Sequence, residues 1–300
     1  MRVCLVWVCL VLGCCDVARG QGEDLADANR AFRASRWGEA ERLLREYLAG
    51  HNDSVEAHYL LASTLFHEDR PTDSLAEYTI AARLRRPGAE DLKNVAFDYV
   101  LVHDYQDADK WMTEAVRLAP ESGDAWYSLG RIRYSEEKFD GAVEAFQEAL
   151  KRMPQSVKAE NNLGLAYEGL YQPEKAMEAY REAIEWQKDK PNPSEQPYIN
   201  LGKLLMAGEH SEEALALLLK AEMISPKEEV TRVAIGKLYQ KQGEMKKAED
   251  ELRQAVEIAP KDATAHFLLG RIYRSEGLVE MANTEFALVA ELYKAQTQKP

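Results

Sequence analysis

Three kinds of residue in this sequence are equipped for chemistry: six histidines, four cysteines and pairs of adjacent carboxylates. Two histidines one helical turn apart would make a zinc-binding face. His51, His58, His67, His103, His210 and His266 never stand at i and i+4. Glu136-Glu137, Glu212-Glu213 and Glu228-Glu229 have the composition of a general acid/base pair. They fall at polar turns and at the starts of helical patterns, where a carboxylate complements the positive end of a helix dipole. They are therefore read as solvated surface. All the cysteines (Cys4, Cys9, Cys14 and Cys15) precede residue 16, which leaves the rest without a thiolate nucleophile, a disulfide or a zinc-binding thiol. The chain also lacks a P-loop, a G-x-G-x-x-G loop, a G-x-S-x-G elbow and an H-E-x-x-H helix. The expectation is a protein that is not an enzyme and needs no metal or cofactor.

Composition narrows the class further. The chain of 300 residues is 46% hydrophobic and 30% charged, enough to build a core under a solvated surface. Intrinsic disorder combines low hydrophobicity with high net charge, so it is excluded. A mean hydropathy of −0.46 argues against a polytopic membrane protein. The 38 Lys and Arg stand against 51 Asp and Glu, a net charge of −13. Such a chain lacks the basic surface that neutralises phosphates, so no nucleic-acid partner is expected.

Residues 1–20 read as a secretory signal peptide: Arg2, then the apolar run Val3–Gly13, then small residues ending in Ala18-Arg19-Gly20 before Gln21. The run is too short to span a bilayer. A second reading takes Val11-Leu12-Gly13-Cys14 as a lipoprotein box, which makes Cys14 a lipidated N-terminus. The expected location is exported, periplasmic or secreted, and lipid-anchored at a membrane facing the periplasm under the second reading.

A period of 34 residues organises what remains. The Gly130 register reads Ala28, Ala62, Ala96, Gly130, Gly164, Gly202, Gly236 and Gly270, with one four-residue insertion at 191–194. The Ala142 register reads Ala40, Ser74, Ala108, Ala142, Ala176, Ala214, Ala248 and Ala282. Each repeat holds two apolar patterns of helical spacing around a short polar turn, such as Glu136-Glu137-Lys138 or Gln242-Gly243-Glu244. Small residues let two antiparallel helices approach closely. Pro120, Pro154, Pro226 and Pro260 close four repeats, because proline cannot continue a helix. One helix pair buries too little to fold alone, so neighbours must stack into a continuous core.

Trp126-x-x-Leu129-Gly130, with Ala142, Phe146, Ala149 and Pro154, resembles the tetratricopeptide repeat (TPR). The resemblance extends over residues 21–296 as eight repeats: 21–54, 55–88, 89–122, 123–156, 157–190, 195–228, 229–262 and 263–296. It implies an all-α, right-handed superhelical solenoid of eight helix-turn-helix units. The sequence departs from the pattern at Asp24 and Asp27, which read as a polar cap, and at Arg133, where an aromatic is usual. Insertion 191–194 reads as a longer loop or mild hinge. On the last helix, Phe286, Val289, Leu292 and Tyr293 either fold back onto their own repeat or stay exposed for association. His58 and His266 share the Trp126 register, so they are read as packing residues, and so are Trp37 and Trp111.

The resemblance also implies a function. In this family the first helices of successive repeats line a concave groove that holds extended peptides or partner helices. Mapped onto this chain, the groove offers Tyr59, Phe66, Lys93, Asn94, Phe97, Tyr127, Arg131 and Tyr134 in the N-terminal half. The C-terminal half offers Lys158, Asn162, Asn200, Lys203, Lys237 and Arg271. The last three share one register in consecutive repeats and make a basic ladder on an acidic protein, unless they pair with nearby carboxylates. A chaperone-tail clamp is not expected, because Phe97 and Ser128 stand where that clamp has asparagines. The function expected is a non-enzymatic exported scaffold that binds a protein or peptide segment and supports assembly of a complex, with no small-molecule substrate. The alternatives are a lipid-anchored assembly factor of a pilus or outer-membrane machine, and a regulatory or substrate-recognition arm of a separately encoded enzyme.

Overall fold

Small residues and prolines at a fixed period punctuate the chain into helices of nearly constant length. In the computed structural model, residues 15–206, 208 and 210–297 are described, with side chains from residue 24 to residue 295 except at 207 and 209. The described residues form sixteen helices and no strand. They run α1 (Cys15–Arg33), α2 (Trp37–Gly50), α3 (Val55–His67), α4 (Pro71–Leu84), α5 (Ala89–Leu101), α6 (Tyr105–Leu118), α7 (Gly123–Ser135) and α8 (Phe139–Arg152). Then follow α9 (Val157–Gly169), α10 (Pro173–Glu185), α11 (Gln196–Met206), α12 (Ser211–Ile224), α13 (Glu229–Lys241), α14 (Met245–Ile258), α15 (Ala263–Ser275) and α16 (Val279–Thr297). From the second repeat on, each odd-numbered helix opens within a residue of the start expected from the 34-residue period.

The lipoprotein-box cysteine Cys14 and the apolar run before it lie outside the described residues. α1 runs through Gly20 and Gln21, so the expected processing point falls inside a helix. No described helix is long and apolar enough to cross a membrane.

Each boundary has a local cause. The Ser54, Ser122 and Asp104 side chains accept the backbone N–H three residues on, at the starts of α3, α7 and α6. Such caps satisfy donors that the helix leaves unpaired. Pro71 and Pro173 open α4 and α10, where a missing N–H costs nothing. Between the two helices of a repeat, one residue takes a left-handed backbone: Ser35, Asp69, His103, Glu137, Tyr171, Gly243 and Gly277. These seven positions are in register, and only the last two carry the residue type suited to that conformation.

Helix pairs close on their small residues. A Cβ built on Gly130 would stand 2.6 Å from the Phe146 ring, so a side chain there would push α7 off α8. Gly164 meets Tyr180 in the same way across α9 and α10. Phe146 and Tyr180 are consequently buried almost completely, and each such side chain contributes roughly 1.5–3 kcal/mol of transfer free energy.

The chain forms two compact units, Met1–Arg152 and Met153–Pro300. In the N-terminal unit, Leu44, Leu61 and Leu65 pack between the first two repeats, and Leu92, Met112, Leu129 and Ile132 between the third and fourth. In the C-terminal unit, Tyr180, Leu201, Leu218 and Ile235 build one cluster, and Leu252, Leu268, Ile272 and Tyr273 another. Insertion 191–194 lies within the C-terminal unit and is closed by a buried side chain. The Gln187 amide donates to the Ser194 carbonyl at 2.8 Å and accepts the Ser194 N–H at 2.7 Å. On α16, Val289 is buried and Phe286 partly so, whereas Tyr293 is 57% exposed.

Candidate binding face on the first helices

The Trp126 register ties the start of each first helix to the loop before it. Trp126 Nε1 donates to the Pro120 carbonyl at 2.8 Å, six residues earlier. His58 Nε2 does so to Asn52 O at 3.1 Å and His266 Nε2 to Pro260 O at 3.0 Å. Arg232 reaches Pro226 O through Nε and a terminal nitrogen, again over six residues. The other side of this register meets the second helix. His58 Nδ1 lies 2.7 Å from Glu77, His266 Nδ1 2.5 Å from Glu285, and Arg232 3.0 Å from Glu251, each 19 residues on. Both nitrogens of each imidazole therefore face an oxygen. The reading of His58 and His266 as packing residues holds, with the addition that they are polar latches. Among the described residues no group of His, Cys, Asp and Glu is placed to hold a metal ion.

Glu160 occupies the same register, with no side-chain partner among the described residues. It is buried, and the residue 19 positions on is Ala179. Burial, with Glu182 and Glu178 nearby, pushes its carboxyl up to about 7. At Arg133, where the family usually has an aromatic, the guanidinium donates to Asp109 at 3.1 Å and to the Gly141 carbonyl at 3.3 Å.

Two registers, one helical turn apart, project from the same side of the first helices. The Arg131 register runs Asn29, Ser63, Phe97, Arg131 in the N-terminal unit, then Leu165, Lys203, Lys237, Arg271 in the C-terminal unit. The Tyr134 register runs Phe32, Phe66, Val100, Tyr134, then Glu168, Met206, Gln240, Arg274. The same two positions are largely apolar and aromatic in one unit and strongly cationic in the other.

In the N-terminal unit, Phe66 and Phe97 stack at 6.2 Å between ring centres. Phe66 also neighbours His67, which stacks on Trp37 at 4.3 Å, and Trp37 meets Phe32 edge-on at 5.1 Å. Trp37 thus packs against Phe32 of its own repeat and His67 of the next, in a row of rings that continues onto the binding face. Beyond Phe97, a small cavity of about 80 Å³ is lined by Phe97, Val100, Tyr105, Ser128, Arg131 and Ile132. Arg131 is exposed and lies within ion-pair distance of no described carboxylate. Tyr134 is 36% exposed, edge-on to Phe139.

Several residues expected in the groove are committed elsewhere. Tyr59 is only 6% exposed, and its hydroxyl donates to the Arg85 carbonyl at 2.7 Å beneath the Arg85 guanidinium. It belongs to the core rather than to the binding face, because the chain leaving α4 folds over it. Lys93 pairs with Glu90 at 2.6 Å, and Asn94 donates to the Tyr78 hydroxyl at 3.0 Å. Asn200 donates to Asn161 at 2.9 Å. Tyr127 is half-buried against Phe146, with ring centres 5.9 Å apart. Lys158 is exposed on α9 and Asn162 half-buried. Trp111 packs in the core of the third and fourth repeats, with its buried indole N–H lacking an acceptor among the described residues.

Lys203, Lys237 and Arg271, the residues of the basic ladder, are all exposed. None lies within ion-pair distance of a described carboxylate, so pairing with near neighbours does not account for them. Two hollows flank the ladder. One, of about 370 Å³, is lined by Lys203, Met206, Val230, Val233, Ala234 and Lys237, and also by Glu229, Asp262 and Thr264. The other, of about 680 Å³, shares Lys237 and adds Gln240, Lys241, Met245, Arg271, Arg274 and Ser275. Lys241 and Arg274 escaped sequence reasoning, although the period places Arg274 in the Tyr134 register.

Comparisons with known proteins bear on the fold. Two family models, both described as tetratricopeptide repeat, match residues 25–89, 102–156 and 132–193 for one and 204–272 for the other. No curated protein sequence matches the chain. A tetratricopeptide repeat protein from Parabacteroides merdae is similar at 16% identity, covering 85% of this chain and 99% of that one, with a TM-score of 0.66. PilW, described as a widely conserved type IV pilus biogenesis factor, is 20% identical over 69% of this chain and 94% of its own, with a TM-score of 0.60. MamA is 22% identical over 57% of this chain and 93% of its own, with a TM-score of 0.53. Such identities speak for the fold, and the family models span more than half of the sequence. The chain belongs to the tetratricopeptide repeat family.

Proposed function

We propose that this protein is a non-enzymatic, exported scaffold that binds a segment of another protein along its first helices and supports assembly of a complex. The observation that carries the reading is the pair of registers through Arg131 and Tyr134. Outside them, most large side chains of the first helices are spent on packing or on the latches, as Tyr59 and His58 are. Inside them, Arg131, Lys203, Lys237 and Arg271 present exposed cationic surface, and Phe97 a half-buried ring at the edge of the core. Extended peptides are held by such combinations of pockets and charge-assisted hydrogen bonds. TPR proteins are in general protein-interaction scaffolds, and PilW, a structural neighbour, is described as a biogenesis factor.

Partner capture tests the binding face. Phe97→Glu with Arg131→Glu should deplete the proteins that wild type retains, while Arg117→Glu on a second helix should leave them in place. Equal depletion by both would refute the reading. Export is tested by the mature N-terminus, expected at Gln21. A diacylated Cys14 would replace the free form by a lipid-anchored one, and a chain retaining Met1 would remove export from the proposal.

A further inference from the structure

The exposed surface of the C-terminal unit changes character along α13, and from that change we infer that it receives an acidic segment of a partner protein, with apolar side chains beside several carboxylates. The inference rests on the binding face proposed above and names its occupant.

Three observations carry it. First, the lining along α13 runs from Glu229 in its opening turn, through half-buried Val230 and the buried Val233 and Ala234 that floor the hollow, to exposed Lys237, then Gln240 and Lys241. The sequence of surfaces is acidic, apolar, cationic. At the acidic end Glu229 is pushed up by burial and by the neighbouring Asp262 and Glu228 carboxylates, so that end repels further negative charge. Second, the larger hollow brings together Lys237, Lys241, Arg271 and Arg274, and among the described residues no carboxylate lines it. On α14, by contrast, Lys246 and Arg253 pair with Glu249 and Lys247 pairs with Glu244. The ladder cations therefore lack the described carboxylate partners that the α14 cations have. Third, two members of the cluster are held in place. The Lys241 ammonium donates to the carbonyls of Met206 and Gly208 at 3.3 Å each, and the Arg274 guanidinium lies 5.3 Å from the Phe286 ring centre. Four like charges around one hollow repel one another, and a ligand carrying carboxylates relieves that repulsion while making charge-assisted hydrogen bonds.

A nucleic acid fits less well. Its evenly spaced phosphates would run from the cations onto Glu229 and Asp262, and a chain of net charge −13 repels an extended polyanion. A short acidic segment ends where the cations end, and its apolar side chains fill the hollow floored by Val230, Val233 and Ala234.

The test titrates the full-length protein with a labelled Glu-rich peptide containing Leu, with its Gln counterpart, and with single-stranded DNA of the same length. The Glu peptide should bind roughly tenfold or more tighter than the Gln peptide, a ratio that salt reduces. Lys203→Glu/Lys237→Glu/Arg271→Glu should abolish that preference, and the Gln triple variant should reduce it. All three positions are exposed, so an unchanged melting curve certifies the fold of the variants. Equal binding of the two peptides, or a preference that survives charge reversal, overturns the inference. DNA binding as tightly as the Glu peptide overturns it as well. None of these results bears on the Phe97 and Arg131 test, so the broader reading stands or falls separately.

Discussion

The Ser74 hydroxyl oxygen lies 2.6 Å from an Asp98 carboxyl oxygen and 2.9 Å from the Ala62 carbonyl. A hydroxyl has one hydrogen. Both contacts are hydrogen bonds only if Asp98 is protonated and donates to Ser74, which then donates to Ala62. Burial pushes Asp98 up to about 7, against the lowering effect of the Ser74 hydrogen bond. In three other repeats these positions hold Ala108 with Ile132, Ala214 with Leu238, and Ala248 with Ile272, all apolar.

The contact makes stability depend on pH. The folded carboxyl titrates above an unfolded aspartate, so its contribution is complete below about pH 4. It is lost as pH rises through about 7. A shift of that size is worth on the order of 4 kcal/mol. Asp98→Asn, whose amide can donate to Ser74, should flatten the decline. Ser74→Ala/Asp98→Ile should remove it by restoring the apolar pair. Urea unfolding at several pH values measures both effects. An unchanged slope in the Asn variant would contradict the one-proton contact.

Glu160 should behave similarly in the C-terminal unit. Its carboxyl is raised by burial and by two glutamates, so it weakens the fold as pH rises from about 4 toward about 7. Glu160→Gln should therefore raise the melting temperature at pH 8 and have little effect at pH 4. A melting temperature that falls at pH 8 would show that the charged form is stabilised by a contact.

The latches predict a loss. Glu285→Ala leaves the His266 ring buried with one side unserved, and should cost about 1–3 kcal/mol. Glu285→Ala/His266→Phe should recover part of it, because removing both partners leaves no orphan. Calorimetry of the two variants decides, and equal melting temperatures would show that the pair contributes nothing.

Tyr171 is 93% exposed and holds a backbone φ of +57°. Left-handed backbone costs a residue with a Cβ about 1–2 kcal/mol. Tyr171→Gly should relieve that strain and stabilise the protein by up to about 1 kcal/mol, since glycine gives back part of the gain as entropy. Chemical denaturation reads the difference, and a destabilised variant would mean that the Tyr171 ring makes a contact worth more than the strain.

The repeats were legible in the sequence because close helix approach demands small residues at fixed positions, and Gly130 or Ala142 cannot be replaced cheaply. Helix starts followed from the same period. The basic ladder was legible for a similar reason: Lys203, Lys237 and Arg271 share a register. The latches left a signal that went unread. His58 and Glu77, Arg232 and Glu251, and His266 and Glu285 stand 19 residues apart in matching registers. Tyr59 gave no such signal, because its burial depends on where the chain turns after α4. The partners of Lys93, Asn94 and Asn200 were likewise beyond reach, since side-chain hydrogen bonds are chosen among several neighbours by packing.

Site-specific photo-crosslinking tests the central claim most directly. A photoreactive residue replaces Phe97, Lys237 or Arg271 on the first helices, or the exposed Thr113 or Glu257 on second helices, in the native host. The account predicts protein adducts from the first three positions and none from the last two. Adducts from Thr113 and Glu257 with none from Phe97, Lys237 and Arg271 would place binding on the opposite face and contradict it.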